Sequence, residues 1–282
     1  MTPLRSVHKR AERVYEGYVF DLDGTLYIGE EAIPGAADAV NGVRAAGARV
    51  AFLTNKPLQL PADYARKLTA LGIPAEADEV VSSTDALIHY LQERAAGARL
   101  YPIAEPLLIN LLTEAGFEMA ADATHTDVVI VSFDRGFHYE KLRTAYLAVR
   151  AGARIVATNP DAYCPTPDGG LPDCGAILAA LEVASEARAE AVVGKPSAFM
   201  AAAVLERLGT AADDTILIGD RIETDVRMAR EAGMVAALVL TGATTAEAAS
   251  ASDHPADMVL ESLIDLLPAV LRTPGRQPNA RE

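Results

Sequence analysis

Two aspartates, Asp21 and Asp23, follow a short apolar run and stand one residue apart, directly before a Gly-Thr pair. A strand formed by the apolar run would hold Asp21 rigidly. Gly24 would let the backbone turn tightly, so that Asp23 comes close to the Asp21 carboxylate. Two carboxylates mounted in this way can serve as a nucleophile and as a general acid or base. The pattern Asp-x-Asp-Gly also occurs in hairpin turns, so the rest of the sequence has to decide between a site and a turn.

Three further polar pairs follow apolar runs elsewhere in the chain: Thr54-Asn55, Gly194-Lys195 and Gly219-Asp220. Each pair has an ordinary explanation as a helix cap or a turn. In an open α/β sheet, however, ligands bind at the edge where the carboxyl ends of the strands lie. We therefore expect all four strand ends to converge on one site.

The chemistry of these groups indicates phosphoryl transfer. Asp21, Asp23 and Asp220 would supply the hard oxygen ligands that Mg²⁺ prefers, and without a cation the clustered carboxylates would repel one another. With the metal bound, Asp21 can attack a phosphoryl group and form an aspartyl-phosphate. Asp23 can then protonate the leaving oxygen and activate water.

The other members of the set would bind the phosphate and support the site. Thr54 and Lys195 would donate hydrogen bonds to the phosphoryl oxygens, and Asn55 would hydrogen bond the substrate. Asp225 lies near a predicted helix start. We expect that it is not a metal ligand itself but holds Lys195 or the metal-bound waters in place.

The pattern of the whole chain is typical of an α/β protein with parallel strands, because short apolar runs alternate with longer amphipathic segments. The predicted strands are Val19–Asp21, Val50–Leu53, Val128–Ser132, Ile155–Ala157, Ala191–Val193, Thr215–Ile218 and Ala236–Val239. The predicted helices are Ala36–Ala46, Ala62–Leu71, Tyr139–Arg150, Ala176–Ala187, Ala198–Leu208 and Thr224–Ala232.

The middle of the chain, from about Ser82 to Gly175, contains further predicted strands and helices but no polar strand ends comparable with the four above. This difference indicates an inserted second domain. The predicted boundaries are 14–81 and 185–272 for a discontinuous catalytic core, 82–184 for the insertion, and 1–13 and 273–282 for flexible tails.

Composition excludes several partners. The formal net charge is −14, and no basic stripe with interleaved aromatics offsets it, so we expect neither a nucleic-acid nor a membrane partner. No run approaches the ~20 apolar residues that span a bilayer.

The two cysteines, Cys164 and Cys174, form neither a disulfide framework nor a zinc pattern, which indicates a reduced, cytoplasmic protein. The sequence leaves homo-oligomer formation open.

The four polar blocks resemble the four motifs of the haloacid dehalogenase superfamily. They read DLDGT at 21–25, FLTN at 52–55, GKPS at 194–197 and GDRIETD at 219–225. The last block is similar to the GDRxxTD form of subclass IIA, as are ATNPD at 157–161 and PDCG at 172–175. That subclass includes 4-nitrophenyl phosphatases and ribonucleotide monophosphatases, and the resemblance extends over about residues 16–271.

The resemblance implies a Rossmann-like parallel-sheet core with an α/β cap domain inserted between the second and third motifs. It implies that Asp21 is the nucleophile and Asp23 the acid and base, with Thr54 and Lys195 as phosphate binders. It also implies that Mg²⁺ is held by Asp21, Asp220 and the backbone carbonyl of Asp23. Specificity in this family lies in the cap, whose loop after Asn159 is expected to contact the leaving group.

The substrate-binding residues implied in addition are Asn55, Arg221, Thr224, Tyr163 and Cys164. The chain departs from the pattern at Lys56-Pro57, where relatives often carry small polar residues after Thr-Asn. An added cation at this point would favour a more anionic phosphate ester.

We therefore expect a Mg²⁺-dependent phosphatase that hydrolyses small phosphorylated metabolites such as nucleotides, sugar phosphates, glycerol phosphates or 4-nitrophenyl phosphate. One alternative is a haloacid dehalogenase, which also uses an Asp nucleophile but needs neither a metal nor a second acid. Another is a non-enzymatic phospho-receiver module, which combines acids, Mg²⁺, Thr and Lys on a parallel sheet in a different chain order.

Overall fold

A computed structural model of the protein describes residues 10–164 and 170–268. The strands are β1 (Gly17–Asp21), β2 (Tyr27–Ile28), β3 (Glu31–Ala32), β4 (Arg49–Thr54), β5 (Val80–Ser82), β6 (Arg99–Ile103), β7 (Glu118–Met119), β8 (Val128–Val131), β9 (Arg154–Ala157), β10 (Tyr163–Cys164), β11 (Leu171–Pro172), β12 (Ala191–Val192), β13 (Thr215–Gly219), β14 (Val235–Val239) and β15 (Met258–Leu260).

The α-helices are α1 (Ala36–Ala45), α2 (Pro61–Ala70), α3 (Ser83–Arg94), α4 (Pro106–Glu114), α5 (Tyr139–Arg150), α6 (Cys174–Ser185), α7 (Ala198–Leu208), α8 (Arg227–Glu231) and α9 (Ala246–Ala251). Short 3₁₀ turns cover Ala77–Glu79, Ala123–His125, Ala212–Asp214 and Leu263–Leu266, and a π-helical turn covers Ile222–Val226.

The chain divides into two compact units. Among the described residues, the first unit holds the chain up to Leu53, Ala65–Glu79 and the chain from Leu205 onward. The second unit holds Thr54–Tyr64 and Val80–Val204. The assignment of residues 82–184 to an inserted cap stays a prediction.

In the first unit, five strands lie parallel in the order β15-β14-β13-β1-β4. Every residue of β1 and β13 is buried, as expected for parallel strands that are covered on both faces. The rings of Tyr18, Phe20 and Phe52 pack in a row, with centroid distances of 6.3 and 6.4 Å. Phe20 lies opposite Ile218 on the neighbouring strand, so the residues that follow β1 and β13 emerge at the same edge of the sheet.

In the second unit, a parallel sheet has the order β12-β9-β8-β6-β7. Helices α5 and α6 pack together over an apolar core that includes Val129, Ile155 and Leu181. Strands β10 and β11 form an antiparallel hairpin. Helix α3 begins with a capping box, in which the Ser82 hydroxyl accepts from the Asp85 N–H and the Asp85 carboxylate accepts from the Ser82 N–H.

The predicted α/β fold class is confirmed. Helices α5 and α7 have the predicted bounds, because their amphipathic patterns are long and uninterrupted. The predicted helix Thr224–Ala232 is wrong in its first turn, which is π-helical and continues into the short α8. There the carbonyl of Arg221 accepts from the N–H of Val226 at 3.2 Å, five residues on.

We predict no strand ends in the middle of the chain comparable with the four polar ones of the core, but the structure has buried polar residues after two strands there. Strand β8 is followed by Ser132, and β9 is followed by Thr158 and Asn159, all of them buried. The Thr158 hydroxyl donates to the Ser132 hydroxyl at 3.0 Å, so the two groups provide each other with a partner inside the unit. The second sheet therefore also ends in polar groups at its carboxyl edge.

Of the predicted tails, residues 1–9 and 273–282 lie outside the described residues. Ala11, in the described part, is buried, and its N–H donates to the carbonyl of Asp265 at 3.0 Å. Arg13 forms an ion pair with Asp214 and stacks on the ring of Tyr15.

Within 10–164 and 170–268, the structure contains no helix that is both long enough and apolar enough to cross a bilayer.

Candidate active site

Asp21 is the last residue of β1 and is 7% exposed. The Thr25 hydroxyl donates to its Oδ2 at 3.2 Å. The turn between these residues depends on Gly24, whose φ of +83° is costly for any residue with a Cβ. The Gly24 N–H donates to the carbonyl of Tyr27 at 2.8 Å, which closes the turn. Strand and turn together hold the Asp21 carboxylate at the carboxyl edge of the sheet.

Asp220 directly follows β13, the strand beside β1, and is 3% exposed. Its Oδ2 accepts the N–H of Ala243 at 2.6 Å. Ala243 lies in the loop after β14, the strand on the other side of β13. The position of the Asp220 carboxylate is therefore fixed by two adjacent strands.

The π-helical turn brings a third carboxylate to the same edge. Asp225 is fully buried, and its Oδ2 accepts the N–H of Arg221 at 3.1 Å. A Cβ on Gly219 would lie 2.2 Å from the Asp225 Cγ, so the close approach of this side chain to β13 requires glycine at the end of the strand.

One carboxylate oxygen from each of Asp21, Asp220 and Asp225 lies within 4.8 Å of the other two. Over residues 10–164 and 170–268, no other set of His, Cys, Asp and Glu side chains is grouped in this way. Three buried carboxylates repel one another unless a cation compensates them, and hard oxygen donors suit a divalent cation such as Mg²⁺. These three carboxylates, hereafter the acidic trio, therefore fit the surroundings of a hard divalent metal.

Two glycines, Gly24 and Gly242, form a cradle around Asp220 that the four sequence motifs do not predict. A Cβ on Gly24 would lie 2.5 Å from the Asp220 Oδ2, and a Cβ on Gly242 would lie 2.0 Å from the same atom. The Thr241 hydroxyl donates to the carbonyl of Gly24 at 2.7 Å and joins the two loops. The available signal was Thr241-Gly242 directly after an apolar run, the same pattern as at the other strand ends.

Gly242→Ala is expected to weaken metal binding at least about 10-fold, because the new Cβ would displace the Asp220 carboxylate. The φ of Gly242 is not left-handed, so the backbone itself accepts alanine. The measurement is calorimetric titration with Mg²⁺. A matched control is Gly136→Ala, whose Cβ would lie 3.3 Å from the Asp134 Oδ1 in the second unit. Equal Mg²⁺ affinities of Gly242→Ala and Gly136→Ala would contradict the role of Gly242 in holding the Asp220 carboxylate.

Three other predicted site residues lie in the first unit. The Asp23 side chain is partly exposed and does not belong to the acidic trio, and its backbone pairs with Tyr27. Thr224 is buried beside Asp225, and Arg221 is partly exposed. Arg221 contributes its backbone N–H to the Asp225 carboxylate.

The predicted phosphate binders belong to the second unit. Thr54 is buried at the end of β4, and its hydroxyl accepts the N–H of Lys56 at 3.1 Å. Asn55 and Lys195, 8% and 3% exposed, are hydrogen bonded to each other. The carbonyl of Lys56 accepts from the Tyr64 hydroxyl at 3.1 Å.

The predicted specificity residues Tyr163 and Cys164 form β10. Tyr163 is 55% exposed and Cys164 is partly buried. The other cysteine, Cys174, is fully buried at the start of α6, and its thiol donates to the carbonyl of Val131 at 3.2 Å. Burial raises the pKa of Cys174 to about 11, so this thiol is protonated and unreactive at neutral pH.

Two family models match the chain. The model described as haloacid dehalogenase-like hydrolase matches residues 18–118, and the model described as HAD-hydrolase-like matches residues 192–266. The sugar-phosphatase AraL of Bacillus subtilis is 34% identical over 250 residues, which cover 89% of this chain and 91% of AraL. The chain belongs to the haloacid dehalogenase family of hydrolases.

Two further relatives support this membership. The 5′-nucleotidase YutF of Bacillus subtilis is 31% identical, over 92% of this chain and 100% of YutF. A solved structure of 4-nitrophenylphosphatase from Thermotoga maritima is 31% identical with a TM-score of 0.82, over 88% of this chain and 95% of that chain. The predicted membership of the haloacid dehalogenase family and the prediction of a phosphatase within it are confirmed.

The two haloacid dehalogenase segments together contain the predicted catalytic residues and the predicted metal ligands. The segment 18–118 includes Asp21 and Thr54, and the segment 192–266 includes Lys195 and Asp220. Tyr163 and Cys164 lie in the chain between the two matched segments.

Proposed function

We propose that this phosphatase uses Mg²⁺ to hydrolyse small phosphate monoesters through an aspartyl-phosphate on Asp21. The observation that carries the proposal is the acidic trio, in which Asp21 and Asp220 lie at the carboxyl ends of adjacent strands. Sugar phosphates, nucleotides and 4-nitrophenyl phosphate are the proposed substrates, because the relatives are named as a sugar-phosphatase, a 5′-nucleotidase and a 4-nitrophenylphosphatase.

The residues proposed to hold Mg²⁺ are Asp21 and Asp220 through their carboxylates and Asp23 through its backbone carbonyl. Asp225 is proposed to support these ligands from outside the coordination shell. Its own carboxylate is held in place by the Arg221 N–H, which donates to Oδ2 at 3.1 Å. When bound, Mg²⁺ supplies positive charge that lets an anionic phosphate approach the carboxylates.

In the proposed reaction, an Asp21 oxygen attacks phosphorus while the bond to the leaving oxygen breaks, and Asp23 donates its proton to that oxygen. Asp23 then takes a proton from water, which attacks the same phosphorus and releases inorganic phosphate and the Asp21 carboxylate. The Thr25 hydroxyl, 3.2 Å from Asp21 Oδ2, orients the nucleophile. Thr54 and Lys195 are proposed to donate to the phosphoryl oxygens, where negative charge accumulates.

Chelation tests the metal requirement. EDTA is expected to reduce 4-nitrophenyl phosphate hydrolysis to background, because the acidic trio repels an anionic substrate when its charge is not compensated. Excess Mg²⁺ is expected to restore the rate, and EDTA already saturated with Mg²⁺ is the control. Full activity in EDTA would remove the metal from the mechanism.

Several finer assignments belong to the same proposal. Arg221, Thr224, Tyr163 and Cys164 are proposed to contact the substrate, and phosphate release from a panel of sugar phosphates, nucleotides, glycerol phosphates and pyridoxal phosphate would rank its members. Residues 14–81 and 185–272 are proposed as the catalytic core and 82–184 as the cap. A cytoplasmic protein without nucleic-acid or membrane partners is proposed from the net charge of −14 and the low content of two cysteines in 282 residues.

A further inference from the structure

We infer that Asn55 is a positioning residue for Lys195 and that its side chain does not bind the substrate. The inference rests on the proposed function, in which Lys195 binds the transferring phosphoryl group. Both residues belong to the second unit, and both are buried. In the contact between them Asn55 uses its side chain and Lys195 uses its backbone, so their roles can be separated by experiment.

The amide of Asn55 forms a two-point contact with the backbone of Lys195. Its Oδ1 accepts the Lys195 N–H at 2.8 Å, and its Nδ2 donates to the Lys195 carbonyl at 3.2 Å. This is the pairing that a neighbouring strand would provide, and here a side chain supplies it just after β12 ends. The contact therefore fixes the Lys195 backbone, from which the ammonium group extends.

A third hydrogen bond uses the remaining donor of the amide. The Asn55 Nδ2 also donates to the Asp161 Oδ2 at 3.0 Å. Because a side-chain amide has two N–H donors, both are used within the second unit. The carboxylate of Asp161 accepts only, so it also fixes which end of the amide points toward it. The N–H of Asp161 in turn donates to the Asn159 Oδ1 at 3.0 Å.

The backbone on both sides of this contact is held closely. The carbonyl of Asn55 accepts from the Ser83 hydroxyl at 2.7 Å and from the Asn159 Nδ2 at 3.2 Å. A Cβ on Gly194 would lie 2.7 Å from the Asn55 Oδ1 and 2.4 Å from the Thr158 carbonyl oxygen. Glycine before Lys195 is therefore needed for the amide to reach the Lys195 backbone.

A double-mutant cycle on kcat/KM tests the inference. Lys195→Ala is expected to lower kcat/KM roughly 100-fold or more, and Asn55→Ala roughly 10- to 100-fold. The double variant is expected to be no worse than Lys195→Ala alone, because a residue that acts through Lys195 has nothing left to position. Losses that multiply would overturn the inference and indicate direct substrate contact. An unchanged kcat/KM in Lys195→Ala would instead reject the role of Lys195 in the proposed function, and the inference with it.

Amide hydrogen exchange at Lys195 provides a readout that does not depend on activity. Asn55→Ala is expected to speed exchange of the Lys195 N–H roughly 5- to 10-fold, because the acceptor Oδ1 is lost. Unchanged exchange would overturn the inference. The control is Ser132→Ala, which removes a buried hydroxyl of the same unit and is expected to change neither exchange at Lys195 nor kcat/KM.

A second variant covers the case in which Asn55→Ala does not fold. Asp161→Ala removes the carboxylate that orients the amide and leaves Asn55 itself in place, and Asp161 is not fully buried. Like Asn55→Ala, Asp161→Ala is expected to lower kcat/KM and to speed exchange of the Lys195 N–H. Both effects are expected to be smaller than those of Asn55→Ala. The loss of kcat/KM caused by Asp161→Ala should likewise vanish when Lys195 is already alanine. A further loss of kcat/KM in that double variant would overturn the inference.

Discussion

Asp21→Asn is expected to lower kcat by roughly 10⁴-fold or more and to leave the fold intact. An amide cannot attack phosphorus, whereas its oxygen can still accept the hydrogen bond from the Thr25 hydroxyl. The variant also removes one negative charge from the acidic trio, so its thermal stability in the absence of metal should not fall. The measurements are phosphate release at saturating Mg²⁺ and thermal unfolding followed by circular dichroism.

A matched control for this variant is Asp134→Asn. Asp134 is 8% exposed, close to the 7% of Asp21, and it forms an ion pair with Lys141 in the second unit. This variant is expected to lose stability but to keep kcat. If Asp21→Asn retains substantial activity, the nucleophile is a different residue.

Asp220→Asn is expected to weaken Mg²⁺ binding by at least about 100-fold, since even the loss of a group that only supports a ligand costs about 10- to 100-fold. The substitution removes a charge from the acidic trio and replaces a carboxylate that both neighbouring loops are shaped to hold. The Mg²⁺ concentration for half-maximal activity and the calorimetric dissociation constant should rise together.

The control for Asp220 is another aspartate of the first unit that also accepts a backbone hydrogen bond. Asp257 accepts the Ala236 N–H at 2.9 Å and lies outside the acidic trio. Asp257→Asn is expected to leave the Mg²⁺ titration unchanged. An unchanged titration for Asp220→Asn would contradict its assignment as a metal ligand.

The ends of strands could be predicted because they depend on local pattern. A parallel strand that is covered on both faces needs an unbroken apolar run, and a polar residue after that run marks the carboxyl edge. This is why Asp21 and Thr54 were predicted next to the ends of their strands. The bounds of α5 followed from an uninterrupted amphipathic pattern in the same way.

The environment of Asp225 could not be predicted from local pattern. Its helical sequence favoured a regular first turn, but the π-helical turn and the missing Cβ of Gly219 let its carboxylate approach β13. The spacing of apolar residues predicts where a helix forms. It does not predict that one turn of the helix becomes π-helical in order to make a tertiary contact.

By itself, the sequence determined the α/β class, the strand ends that carry the acids, and the family with its reaction class. Only the tertiary structure decided which distant groups hold those acids: the loop of Gly242 and Ala243 around Asp220, and the amide of Asn55 on the backbone of Lys195. The physical reason is the range of the interactions. Strand and helix patterns arise from neighbours along the chain, whereas these contacts join backbone and side-chain groups that meet only when strands and loops far apart in sequence pack together.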